Sequence, residues 1–260
     1  ILGQSGAWWN RLLRIMRSND QKRVEALVDS LSLFDEARAA EAGRMKMTNR
    51  LEELMTGAVT LKPTFMERLV TRLTPIAPKA LLRHVQELSA QNIELGSFTH
   101  SNNESKTIRM TAAELIQLVA ELNQPNVYAQ SLHKDGDAYT VEIIDAMRTA
   151  VGNIEAGPQI IAALTQFYSE YYPRINETYK QAEFVNLPQE ELYIPTRRIG
   201  PDETEEFMAA IVHRGGPSNA SLKSRTGSIN KLRRGNFYST AMAHIAEMEY
   251  YIAYQDKVRT

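Results

Sequence analysis

Apolar side chains along this chain recur at intervals of three and four far more often than they alternate, so the pattern predicts helices. The clearest run is Ile160, Ile161, Leu164, Phe167, Tyr168, Tyr171, Tyr172 and Ile175, a long helix with a wide aromatic face. Pro173 inside that run predicts a kink, or one helix ending as another starts. Near the start, Trp8, Trp9, Leu12, Leu13 and Met16 fall on one side of Ala7–Arg17 and Arg11, Arg14 and Arg17 on the other, a short basic amphipathic helix. Asn19 or Asp20 can cap a second, longer helix with the stripe Val24, Leu27, Val28, Leu31 and Phe34. It continues through Glu36–Arg50 to Leu51, Leu54 and Met55, with Gly43 weakening its middle and Gly57 as its stop. Pro63–Leu73 and Pro78–Ala90 follow as helices with proline near the start, where a missing N–H costs nothing.

The texture changes after residue 92. Ile93–Thr99 and Lys106–Met110 flank the polar turn Ser101-Asn102-Asn103-Glu104 and predict one small β-hairpin over about 93–110. Thr111-Ala112-Ala113-Glu114 is a capping box, and the helix it opens carries Leu115, Ile116, Leu118, Val119 and Leu122 before Asn123-Gln124-Pro125 ends it. Thr140 can cap a helix bearing Val141, Ile144, Met147 and Val151. Leu187-Pro188 and Ile194-Pro195 are extended or turn dipeptides, and Glu203–Val212 is a short helix. Four glycines, Pro217 and four serines make about 214–235 a long loop, of a length that is usually functional or disordered. A last helix runs from Phe237 to about Lys257 on Tyr238, Met242, Ile245, Met248 and Ile252. The expected fold is mainly α, an irregular multi-helix bundle, with helical hairpins over 1–92 and a second module over 93–260 holding the hairpin, the kinked aromatic helix and the C-terminal helix.

The chain has 260 residues, 43% hydrophobic and 23% charged, the balance of a globular protein. A net charge of −1 gives no whole-molecule field toward nucleic acid or acidic membrane, so any such preference must be local. There is no cysteine, which removes disulfides, thiolate metal sites and a cysteine nucleophile. No stretch of about 20 apolar residues exists to span a bilayer, and no signal peptide is visible. The chain opens on Ile1 rather than Met, so we expect a processed chain or a piece of a longer one.

Catalytic signatures are missing. His84, His100, His133, His213 and His244 are scattered without metal-ligand spacing, no phosphate loop follows Gly215-Gly216, and no nucleophile elbow occurs. We therefore expect no catalytic residues, no cofactor and no metal. Local basic character is clear, however. Arg197, Arg198, Arg214, Lys223, Arg225, Lys231, Arg233 and Arg234 lie close together, while Asp202, Glu203, Glu205 and Glu206 cluster where they complement a helix start. Cations interleaved with serines and backbone amides suit phosphate contact, and equally suit the carboxylates of a neighbouring subunit. Trp8, Trp9, Tyr168, Tyr171 and Tyr172 are the aromatic residues expected at an interface.

The order of these signals is also similar to a known class. A hairpin precedes the Thr-Ala-Ala-Glu-Leu helix at 111–115. The Thr140–Val151 helix and the long helix ending Tyr171-Tyr172-Pro173-Arg174-Ile175-Asn176 come next. Leu192-Tyr193-Ile194-Pro195 and Lys223-Ser224-Arg225-Thr226-Gly227-Ser228 lead to the final helix. Over roughly 93–260 this resembles a helical region of the very large polyvalent proteins of tailed phages and mobile elements, the internal virion or DNA-ejection proteins. That resemblance implies a structural module, located in the virion interior or in the host cytoplasm or periplasm after delivery. Its partners would be other virion or mobile-element proteins, further copies of itself and DNA, with no catalytic residues to carry over. Two alternatives stand beside it. One is an enzyme without a short signature, of nucleotidyl- or ADP-ribosyl-transfer type, which would gather Arg197, Glu205 and His213 in a pocket. The other is a membrane-active translocation segment led by Trp8 and Trp9.

Overall fold

A computed structural model describes residues 21–59, 77–134, 137–187, 193–196, 232 and 234–258. Among these, seven helices and one antiparallel hairpin are present, so the mainly α expectation holds. In chain order they are α1 (Gln21–Ala58), α2 (Ala77–Ala90), β1 (Asn92–Thr99), β2 (Ser105–Thr111), α3 (Ala112–Leu122), α4 (Pro125–Ser131), α5 (Val141–Gly152), α6 (Gly157–Glu183) and α7 (Phe237–Val258). The expected helices at 7–17, 63–73 and 203–212 lie outside the described residues, as does most of the 214–235 loop.

The centre of the fold is α3. Apart from Glu114, every residue of this helix is buried, Leu115 and Ile116 completely. A helix apolar on nearly all sides must be surrounded, and α2, α4, α5, α6, α7 and β2 all pack on it. Its start is fixed by the predicted capping box. The Thr111 hydroxyl accepts from the Glu114 N–H at 3.2 Å, and the Thr111 N–H donates to the Glu114 carboxylate at 2.8 Å. Thr111 is also the last residue of β2, and the Ala112 N–H donates to the Gln91 carbonyl at 2.8 Å, so hairpin and central helix are fused.

The hairpin pairs Asn92 with Thr111 through to Thr99 with Ser105, with a bulge at Glu94/Gly96. Gly96 has φ +100°, a conformation that only glycine adopts without strain. The turn at 101–104 falls where the polar run predicts it, closed by Glu104 N–H donating to the Asn102 side chain. Thr140 caps α5 as expected, accepting from the Ile143 N–H at 3.3 Å. One helix is new: α4 begins on Pro125, where the sequence pattern places only the end of α3. Proline at a first helical position is itself a start signal, so Asn123-Gln124 is a two-residue corner.

α6 and α7 lie antiparallel to α1 and complete the bundle. The predicted stripe of α6 is inward: Ile160, Leu164, Phe167, Tyr168, Tyr171 and Ile175 are at most 4% exposed. The helix continues through Pro173, so the break does not occur there. Proline removes one backbone bond at a cost of about 3 kcal/mol, and ion pairs on either side of it, Glu170 to Arg50 and Arg174 to Glu249, hold the segment to its neighbours. Residues on both sides of position 92, including Leu51, Met55, Leu81, Val85, Ile116, Met147 and Phe167, belong to one buried cluster. The two sequence blocks therefore share a core.

Candidate functional site

Two polar assemblies interrupt this apolar body. The first joins α1, α6 and α7. Glu249 of α7, 1% exposed, takes a bidentate pair from Arg174 of α6, Nε at 2.9 Å and Nη2 at 2.7 Å, and accepts from the Tyr171 hydroxyl at 3.0 Å. The opposing surface on α1 is Gly43. A β-carbon there would stand 1.9 Å from a Glu249 carboxylate oxygen and 3.2 Å from the Arg174 guanidinium. The glycine that weakens the helix in isolation is the one that admits the clamp. Burial, and then the Glu249 charge, push the Tyr171 hydroxyl well above the usual tyrosine range.

Outside the clamp, a solvent-open groove of about 630 Å³ between α1 and α6 is lined by Lys46, Arg50, Glu53, Glu170, Tyr171 and Arg174, among others. Its arginines are committed to carboxylates. Arg50 bonds Glu170 at 2.8 and 2.9 Å and Glu53 at 2.7 Å, and holds the Glu170 carboxyl down at about 2. These charges are spent on helix packing.

The second assembly lies on α3 and concerns the basic segment. Gln124, fully buried, donates through Nε2 to the Ile194 carbonyl at 2.7 Å. Gln117 donates to the Pro195 carbonyl at 3.4 Å and to Glu121 at 2.7 Å. Ile194 is 1% exposed, and the Tyr193 hydroxyl lies 3.5 Å from His244 Nε2. The Ile194-Pro195 dipeptide, expected to be extended or a turn, is thus held against α3 outside any helix or strand. The chain is anchored again at 232–236. The Leu232 N–H donates to Asp137 at 3.0 Å, Arg234 donates to the Arg109 carbonyl of β2 at 3.0 Å, and Asn236 donates to Ser89 of α2 at 2.6 Å. Gln117, Glu121, Tyr139, Leu232 and Arg234 line one cavity large enough for about a single water. Burial, followed by the Asp137 charge and opposed by Arg234, raises the Tyr139 hydroxyl to about 12. The chain is therefore fastened at 193–196 by Gln117 of α3 and by Gln124, and again at 232–236 by Asp137, β2 and α2.

Of the residues expected to touch a partner, Arg197, Arg198, Arg214, Lys223, Arg225, Lys231, Arg233, Trp8 and Trp9 lie outside the described residues, as do Glu205 and His213. Arg234 is described and exposed, and serves as an anchor. The tyrosines need a correction. Tyr168 and Tyr171 are core residues of their own chain, and Tyr172 is half-buried with its hydroxyl on the Leu187 carbonyl, so this stripe is not an outer aromatic patch. Phe167, Tyr168 and Tyr171 pack ring against ring, with His244 edge-on to both tyrosines. The amides that bind residues 193–196, the stem of the basic segment, are Gln117 and Gln124, and they escape a reading of the sequence. The one signal for them is a pair of glutamines in and just after an otherwise apolar helix. Among the described residues, no three His, Asp or Glu side chains gather as metal ligands, and no helix is long and apolar enough to cross a membrane.

No family model, no curated protein and no solved structure matches the chain. What the fold defines is a class of architecture: a mainly α bundle around a buried central helix, with a hairpin fused to that helix.

Proposed function

We propose that this chain is a non-enzymatic helical platform that presents the basic 197–233 segment to a phosphate polymer, in the first instance DNA, and associates with further protein copies. The supporting observation is the double anchorage of the chain on either side of that segment, at 193–196 and at 232–236. Fixing both ends of a cation-rich segment lowers the entropic cost of docking it on a ligand. Lysines and arginines in the segment supply sequence-blind phosphate contacts, and its serines supply neutral donors. The ionised groups of the body point the same way, since Arg50, Arg174, Glu170 and Glu249 are committed to joining helices. A phage virion or mobile-element setting is the finer part of the proposal, and its support is the motif order over 93–260.

The test is a titration of duplex DNA against the chain over a range of salt. Replacing Arg214, Lys223, Arg225 and Arg233 together, while leaving the anchor Arg234 alone, is expected to weaken binding. The salt slope should flatten by about 0.9 for each phosphate that is no longer neutralised. Binding that is undetectable at low salt, or unchanged in the variant, would refute the reading.

A further inference from the structure

A small cavity lies where α3, the connection from α4 to α5 and the returning chain meet. Among the described residues, its polar lining is Glu114, Gln117 and Glu121 of α3, Tyr139 just before α5, and Arg234. Leu118 and Leu232 supply apolar walls, and the space admits about one water. Glu121, Gln117 and Tyr139 are 2%, 3% and 5% exposed, so these polar groups meet in the interior.

Hydrogen-bond accounting around the cavity turns on the Tyr139 hydroxyl. It takes a hydrogen bond from Arg234, which leaves its own proton to be placed. Asp137 and Glu121 act on the hydroxyl through charge, without a hydrogen bond to either carboxylate. A buried O–H donor without an acceptor is rare in native proteins, and internal water commonly supplies one. Gln117 has the opposite need. Its amide protons are engaged by Glu121 at 2.7 Å and by the Pro195 carbonyl at 3.4 Å, so its side-chain oxygen is the atom that can take a further bond.

Charge narrows the occupant. The carboxylates of Glu114 and Glu121 oppose an anion, and the Arg234 guanidinium opposes a cation. A neutral molecule that both donates and accepts suits every group in the lining.

We propose that one water molecule is a fixed part of the fold in this cavity, accepting the Tyr139 proton and donating to the Glu121 carboxylate and the Gln117 side-chain oxygen. Three partners are the usual complement of a buried water. The bridge joins α3 to Tyr139, and through the Tyr139–Arg234 bond to the returning chain, beside the direct bond from Leu232 to Asp137. It is independent of DNA binding, since no cation of the basic segment other than Arg234 takes part.

A high-resolution crystal structure of the full chain tests this, with one density peak expected within about 3.2 Å of both Tyr139 Oη and the Glu121 carboxylate. In solution, the same water should give nuclear Overhauser cross-peaks to the Leu118 methyl groups. Tyr139→Phe keeps the ring and removes the donor, and should lose both the density peak and the cross-peaks while the Leu232–Asp137 bond stays. A dry cavity in the parent chain overturns the proposal, as does a cavity filled by a side chain or a Tyr139 hydroxyl bonded directly to a carboxylate. Water retained in full by Tyr139→Phe overturns it too, because the bridge then does not depend on the hydroxyl.

Discussion

The α3 seam and the α1/α6/α7 seam each bury a carboxylate, Glu121 and Glu249, but use different donors to hold their neighbours. Gln117 and Gln124 of the α3 seam use uncharged amides to bind the backbone carbonyls of Pro195 and Ile194. The other seam carries a full charge, Glu249, against Arg174. Access to water separates the two. The Arg174 side chain is 42% exposed and reaches the open groove, so only the carboxylate is taken from solvent. Around α3 the donors themselves are buried, Gln117 at 3% and Gln124 at 0% exposed, and Gln117 also bonds the buried Glu121 carboxylate at 2.7 Å. Amide donors suit a segment held by its backbone carbonyls, and an arginine–glutamate clamp suits three helices that must be fixed in register.

Breaking the charged seam should have the largest effect. Glu249→Ala removes the bidentate Arg174 pair and leaves the Tyr171 hydroxyl buried without its acceptor, and is expected to cost about 3 kcal/mol in chemical denaturation. Gly43→Ala drives a β-carbon into the same carboxylate and should cost about 2–3 kcal/mol, an overpacking penalty. Combining the two isolates the cause, because the Gly43→Ala penalty should largely vanish once Glu249 is gone. Additive costs would show that Gly43 is not there for the clamp.

Next is the alkaline response of the α3 seam. Tyr139 titrates near 12 in the fold against about 10 unfolded, so its neutral form is the one the native state holds. Its contribution is complete below pH 10 and is lost as pH rises toward 12, an expected loss of about 2–3 kcal/mol. Tyr139→Phe should remove that slope, read from denaturation midpoints between pH 9 and about 12. A parent and variant with identical pH profiles would contradict it.

Smaller again, Gln124→Ala removes the Ile194 bond and should cost about 1–3 kcal/mol. The smallest effect belongs to the groove. Arg50→Ala should leave the denaturation midpoint at neutral pH almost unchanged, since its pairs are exposed. Glu170 sits at about 2 because Arg50 holds it there, so its contribution is present above the ordinary carboxylate value and lost as pH falls through that range. In Arg50→Ala the acid side of the stability profile should flatten slightly, and a clear drop of the midpoint at neutral pH would show that the groove is more than a lattice of surface pairs.

Local chemistry makes most of the elements legible in the sequence. The capping box at Thr111, the Thr140 cap and the hairpin turn at 101–104 depend on neighbours within a few residues, and they stand where their patterns place them. Long-range choices are hidden. Gly43 reads as a weak point until Glu249 is seen against it, and Pro173 reads as a break until the ion pairs beside it are visible. The aromatic face of α6 has the periodicity of an interface and of a core alike, and only the packing of α7 and of residues 193–196 decides for the core. The stem around α3 is invisible for the same reason: Gln117 and Gln124 reach carbonyls some 70–80 residues away.

If anchorage of the stem contributes to DNA affinity alongside the cations, loosening the stem alone must weaken binding. The DNA affinity of Gln117→Ala/Gln124→Ala decides this, because the double variant keeps every lysine and arginine but frees residues 193–196 from α3. The predicted result is a several-fold weaker affinity with an unchanged salt slope, because the same phosphates are met by a less ordered segment. An affinity equal to that of the parent chain would contradict the platform's role.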